Sequence, residues 1–572
     1  MLPRLPVLLL LAIMLPTWAP QVLLGDDHWI AVKSGPFEVF SNVGERPARE
    51  KLMYLEQFRE TLRVITGKKE MRLVWPVHVM IFKNTAEIPG GGPKQFALGR
   101  DARMAAITEA GGFSRDSLME LARLLLYENT NRLPPQVEKG IIELVSTVQI
   151  DGAHITLGAP VPEAERTPGW ALMHLVTVSP EYAGRSSVMI SNLEQSDDFN
   201  AACHNAFEKT AAQIQQQADA YLKAGNFATA SISGNALSTT RDFKPIQLGA
   251  EEVRIALADL LLAGGHASEA SAAYKALHGP EASEGLALIA LDDQKDKEAR
   301  TALLEAIEGG SKSARAWLEL GRLQSDADQL KKASDLNPRW GEPYFQQAEL
   351  NPAIDKENLE QRAALLKKAA ALDPRSIDYW QALAKTDVAA KDFTEAQKAW
   401  AGAERAAASD EQRERIHQLR SQLEEKRFDY ETAERKRLAD EREADLQRVK
   451  SQSEAAIHAS EDAARRKMNP NGAVPPKPQG YYEAPATGAS VQGTFQKLDC
   501  LDQRARLVIE TPDGKTIQLL MSDPSKITTG GGGDQTLACG TQKNARQVTV
   551  TYNAKADQKL HTAGEVTMIE FH

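Results

Sequence analysis

The chain has 572 residues, 42% of them hydrophobic and 26% charged, and a formal net charge of −10. That length exceeds one domain and predicts several. The acidic balance argues against a general nucleic-acid binder, which carries a basic face or stripe.

Residues 1–25 have the form of an export signal or an N-terminal anchor. Arg4 precedes an apolar run over residues 8–15, about the length of a secretory core and short of the roughly 20 apolar residues of a membrane span. Pro6, Pro16 and Pro20 interrupt the stretch, and cleavage near Gly25 or retention both stay open. The expected location is the periplasm or outside the cell. Any membrane contact runs through an uncleaved N-terminus.

Residues 28–244 read as one α+β domain. Residues 28–43 alternate apolar and polar around Gly35-Pro36, which predicts two paired strands. Leu52, Leu55, Phe58 and Leu62 keep helical spacing, and Val-His-Val-Met-Ile-Phe at 77–82 is a compact strand. Residues 119–147 predict two helices parted by Pro134 and Pro135.

That pair, MELARLLLYENTNRLPPQVEKGIIELVST, resembles the active-site helices of the peptidase MA-like, gluzincin-type metalloproteases. The family carries His-Glu-x-x-His on the first helix and a Glu-Gly-x-x-Glu stretch on the second. Arg132-Leu133-Pro134, Gly140, Glu143 and Ser146-Thr147 fall where that pattern has them. The likeness continues through 152–156, the helix around Trp170 and His174, and residues 199–222 with Phe207 and Tyr221. The ligand positions depart from it. Met119 stands at the first His, Arg123 at the second and Lys139 at the ligand Glu, which leaves Glu120 alone. Zinc requires imidazole, thiolate or carboxylate donors, and metal-assisted hydrolysis requires a metal-bound water. A thioether and two cations supply neither. The resemblance therefore implies a degenerate peptidase-like domain with no catalytic residue, metal or cofactor. Arg123 and Lys139 are expected to surround Glu120 and balance its charge. His154, His174 and His204 read as satisfied core residues rather than ligands, and no His pair at i, i+4 suggests a substitute metal site.

Residues 251–408 resemble tetratricopeptide repeats, with four to five irregular units expected. Trp317, Gly321 and Pro338 fit one unit, Pro374 closes another, and Trp380 and Trp400 fit a further one. Small residues let paired helices approach and aromatics fill the holes, so each hairpin needs its neighbours. The resemblance implies protein or peptide partners and no nucleic acid.

Residues 410–467 carry acids and bases three and four apart, which predicts a solvated helix or a weak coiled coil. Residues 469–490 form a Pro- and Gly-rich linker. In residues 491–572, five short alternating runs and Pro512-Asp513-Gly514 predict a small β-barrel, with 530–533 as a loop. Cys500 and Cys539 share this segment and are candidates for a disulfide; two buried thiols are the alternative.

The expected architecture is multidomain and mainly α: a metalloprotease-like α+β domain, an α-solenoid, a long charged helix and a C-terminal barrel. The expected function is an exported, non-enzymatic interaction scaffold. The alternatives are a hydrolase with a shifted metal set and a cell-envelope spacer.

Overall fold

A computed structural model describes residues 28–93, 96–182, 184–196, 198–235, 237, 240–351, 355–468, 488–501, 504–532 and 537–572. The export segment and nearly all of the linker lie outside the described residues. The chain forms two compact units, one up to Glu443 and one from Ala444 on.

The first unit begins with strands β1 (Ile30–Ser34) and β2 (Phe37–Ser41), helix α1 (Glu45–Thr66), and strands β3 (Val77–Phe82), β4 (Ala97–Leu98) and β5 (Arg103–Thr108). Helices α2 (Arg115–Asn129) and α3 (Pro135–Val145) follow, then the hairpin β6 (Gln149–Asp151) and β7 (His154–Leu157). Helices α4 (Pro168–Val178), α5 (Ser186–Ser196), α6 (Phe199–Phe207) and α7 (Ala211–Ala224) complete the helical half, with strands β8 (Ala230–Ser233) and β9 (Ile246–Gln247) after them. The main sheet has the order β4-β5-β3-β2-β1-β9. The pairs β2–β3 and β3–β5 are parallel, and β1–β2, β1–β9 and β4–β5 are antiparallel.

Strand alternation assigns the two faces of this sheet. Val32, Val39, Val77, Val79 and Ile81 face α1 and its Leu52, Leu55 and Phe58. Ala31, Phe40, Met80 and Phe82 face the other way, onto Val253, Ala256, Leu257 and Leu260. Those four belong to α8 (Ala250–Ala263), which is the first repeat helix. The expected boundary between residues 244 and 251 therefore runs through one continuous core.

From α8 the chain builds five helical hairpins: α8 with α9 (Ala267–Lys275), α10 (Pro280–Asp292) with α11 (Asp296–Glu308), α12 (Ala314–Gln324) with α13 (Ala327–Leu336), α14 (Gly341–Leu350) with α15 (Lys356–Leu372), and α16 (Ile377–Ala389) with α17 (Phe393–Ala406). They are TPR-like in how large and small residues meet. A Cβ on Gly285 would lie 2.3 Å from the Tyr274 ring, one on Gly321 2.7 Å from Leu330, and one on Gly402 2.6 Å from the Trp380 ring.

Helix α18 (Asp410–Met468) has 59 residues and buries only Ile416 and Leu423, near its start. Among the described residues no helix is long and apolar enough to cross a membrane.

In the second unit, β10 (Ala489–Leu501), β11 (Arg504–Glu510), β12 (Thr516–Met521), β13 (Thr528–Gly531), β14 (Gly540–Asn553) and β15 (Glu565–Phe571) form a sheet in the order β12-β11-β10-β14-β15-β13. Strand β12 meets β15 at one residue pair, Leu520 with Glu565. The sheet curls, but its ends lack the strand-long pairing of a closed barrel. The expected loop at 530–533 is corrected in part, because Thr528–Gly531 pairs with β15 along its length. Cys500 and Cys539 are joined by a disulfide.

Candidate functional site: a basic cleft beside the domain seam

The helix pair α2–α3 is specified locally. Ser114 caps α2 by accepting the Ser117 N–H, and Asp116 sits in the first turn, where a helix favours negative charge. Pro134 and Pro135 stand at the N-cap and first position of α3 and start that helix. Leu121, Leu125, Val137, Ile141 and Leu144 bury the inner faces. Gly140 matters through contact. A Cβ there would lie 2.1 Å from the Gly169 carbonyl oxygen, so α3 and α4 cross backbone to backbone.

The ligand-position residues come partly together. Arg123 forms an ion pair with Glu120 one turn away on α2. The expectation for Lys139 is corrected. Its side chain is 64% exposed and pairs at 3.7 Å with Glu143, four residues on. Among the described residues no ion pair joins it to Glu120. Helical i, i+4 geometry within α3 brings Lys139 to Glu143 at lower entropic cost than a reach across to α2. Glu143 is buried, and its other oxygen accepts the Thr167 hydroxyl at 2.5 Å. Among the described residues no group of three or more His, Cys, Asp or Glu is placed to hold a metal ion.

His174 is a satisfied core residue. Its Nε2 lies 3.0 Å from the Gly158 carbonyl and its Nδ1 3.0 Å from the Tyr221 hydroxyl. Burial lowers its pKa, so the ring is held neutral. Burial pushes the Cys203 thiol on α6 up to about 11. The core reading is corrected for His154 and His204, which are exposed.

Met119, Arg123 and Lys139 share the wall of a cleft of about 650 Å³. Ile142, Phe199, Leu133 and the two prolines add apolar surface. Ala407, Ala408, Asp410 and Arg413, from the α17–α18 junction, form the far side. Arg132 also lines it and donates from Nε to the Ala406 carbonyl at 3.0 Å. The sequence reading missed this composite character, because nothing in either segment alone announces the other.

Beside the cleft runs the seam between repeats and domain, formed largely by the turns between hairpins. Arg375 is the most committed residue, its side chain 1% exposed. It donates to the carbonyls of Thr130, Asn131 and Leu126, to the Thr130 hydroxyl and to Glu138. The Thr130 and Asn131 carbonyls lie just beyond α2, while the Leu126 carbonyl in its last turn also accepts the Thr130 N–H. Asn337 Nδ2 donates to the Val74 carbonyl at 3.0 Å, and Trp75 meets Trp340 edge to face. At the other end, Arg100 from the β4–β5 turn reaches Asp259 on α8 and Glu284 on α10. Tyr274 donates to Asp259 at 2.6 Å and Ser311 to Glu284 at 2.5 Å. Burial pushes both carboxyls up against the pull of Arg100. A buried ionic group of this kind is tolerated only when each member has partners.

The repeat-packing positions fall into roles. Trp317 Nε1 donates to the Ser311 carbonyl at 3.2 Å and Trp380 Nε1 to the Pro374 carbonyl at 2.9 Å. Each tryptophan thereby ties its helix to the turn before it. Pro374 sits in the turn before Trp380, Pro338 sits in the turn between α13 and α14, and Trp400 is buried on α17.

Fold and site together define a helical-hairpin repeat protein seated on an α+β domain. No family model matches the chain, and no curated protein matches it. Similar solved structures include "YrrB: a TPR protein with an unusual peptide-binding site", with 18% identity over 29% of this chain and 90% of that one and a TM-score of 0.25. Another is the MamA fragment 41-end from Desulfovibrio magneticus RS-1, with 19% identity over 28% and 99% and a TM-score of 0.24. A third is TTC0263, a thermophilic TPR protein in Thermus thermophilus, with 20% identity over 30% and 98% and a TM-score of 0.23.

Proposed function

We propose that this chain is an exported, non-enzymatic scaffold that binds other proteins, in which a degenerate metalloprotease-like domain is the foundation for the repeats. The observation that carries the reading is the seam. Turns of the repeats are already bonded to the domain through Arg375 and Asn337, and the domain turn at Arg100 is bonded to helices α8 and α10. The hairpins are thereby held as one rigid surface, which lowers the ordering cost of binding a partner. The absence of hydrolysis is argued from chemistry. Arg123 and Lys139 repel a divalent cation, and Met119 is a poor ligand for one.

Crosslinking of the chain in its own cells, followed by identification of what is attached, tests the scaffold reading. Recovery of defined protein partners supports it. A casein assay and metal analysis on the purified chain test the rest. Stoichiometric zinc together with cleavage that is lost on chelation would replace the scaffold by a hydrolase.

A further inference from the structure

We propose that the cleft between α2, α3 and the α17–α18 junction binds an extended acidic peptide segment, with carboxylates on the Arg123 and Lys139 rim and an apolar side chain on the Met119, Ile142 and Phe199 floor. This deepens the scaffold reading and rests on it.

The sign of the charge comes first. The whole chain carries −10, yet the cleft is lined by four cations, Arg123, Arg132, Lys139 and Arg413, against Glu138 and Asp410. Glu138 is paired with Arg375 at 2.9 Å, while Arg123 is paired with Glu120 and Lys139, at 3.7 Å, with Glu143, neither acid lining the cleft. A basic cleft on an acidic molecule steers and orients an anionic partner.

Composition comes second. A charged rim alone is a solvated surface worth little. Here it borders an apolar floor, the arrangement in which one anchoring side chain is desolvated while the rim fixes register. Lys139 is well placed to turn outward. It is 64% exposed, its acid partner lies at 3.7 Å, and that carboxylate also holds Thr167. Nucleic acid is disfavoured by the overall charge and by the single aromatic, Phe199, in the wall.

Assembly comes third. One wall belongs to the domain and the other to the end of the repeats, so the cleft exists only while the seam is closed.

Fluorescence anisotropy of the full chain with a dye-labelled, end-blocked peptide of alternating Glu and Leu tests the proposal. Binding should weaken with added NaCl. Lys139→Glu should weaken it, and Arg123→Gln with Lys139→Glu should weaken it roughly tenfold. Lys450→Glu, on the exposed part of α18, should leave it unchanged. Melting curves check folding, and if the double variant unfolds, Lys139→Glu alone decides. Equal binding by the Lys139→Glu chain, or equal binding of a Lys and Leu peptide, overturns the cleft. Arg322→Glu in the groove between α10 and α12 separates the two readings. Loss of binding there with none at Lys139 refutes the cleft and keeps the scaffold. Absence of peptide binding up to about 1 mM, together with no crosslinked partner, refutes both.

Discussion

Two turns of the repeats share one motif and meet the domain in different ways. Leu336-Asn337-Pro338-Arg339 follows α13, and Leu372-Asp373-Pro374-Arg375 follows α15. In both, the Asx side-chain oxygen accepts the arginine N–H two residues on, at 3.3 Å and 3.1 Å. In the first turn the docking residue is Asn337, whose amide still has a donor for Val74, while Arg339 is exposed. In the second, Asp373 has no such donor, and the arginine docks instead. One amide exchanged for a carboxylate accompanies the change in which residue carries the seam.

The comparison can be broken at its strong end first. Arg375→Ala takes this donor from Glu138 and from the Thr130 and Asn131 carbonyls, and the expected loss is about 3–5 kcal/mol in urea unfolding. Arg375→Lys should recover only part of this, because a single ammonium cannot reproduce the fork.

Glu128 sharpens the weaker dock. It accepts the Val74 N–H at 2.6 Å, while the Val74 carbonyl accepts Asn337. Burial pushes the Glu128 carboxyl up to about 7, against that N–H and Arg103. The folded chain therefore holds this proton more tightly than the unfolded chain. Its contribution is complete below the ordinary carboxyl range and is lost as pH rises through about 7. Asp259 and Glu284 act in the same direction. Glu128→Gln should flatten the fall in stability between mildly acidic and neutral pH by about 2 kcal/mol, read from denaturation at a series of pH values.

Asn337→Asp removes the donor to Val74 and should cost about 1–2 kcal/mol in the same assay. Arg339→Ala should change stability by less than about 0.5 kcal/mol. A large loss there would erase the distinction between the two turns.

Much of this was legible before the structure. The hairpin at 28–43, the strand at 77–82, the α2–α3 pair and the repeat turns all announce themselves by alternation, spacing or proline. What the sequence hid was what each surface meets. Arg103–Thr108 gives little strand signal, because Arg-Met-Ala-Ala-Ile-Thr is short and rich in small residues. The strand at 77–82 did carry an unread signal. Apolar residues on both of its faces require cover on both sides, and α8 is that second cover. The direction of Lys139 is not legible, because a motif position fixes a residue along a helix and not the direction its side chain takes. The partners of Arg375 are mostly backbone carbonyls, which leave no trace in side-chain pattern.

Hydrogen exchange of the full-length Arg375→Ala chain against the parent tests most directly whether repeats and domain are one unit. Faster exchange is predicted together in the last turn of α2, near Leu126 and Thr130, and in the turn at 373–376. Faster exchange in the repeat turn alone, with the end of α2 as protected as before, would contradict a seam that holds both sides.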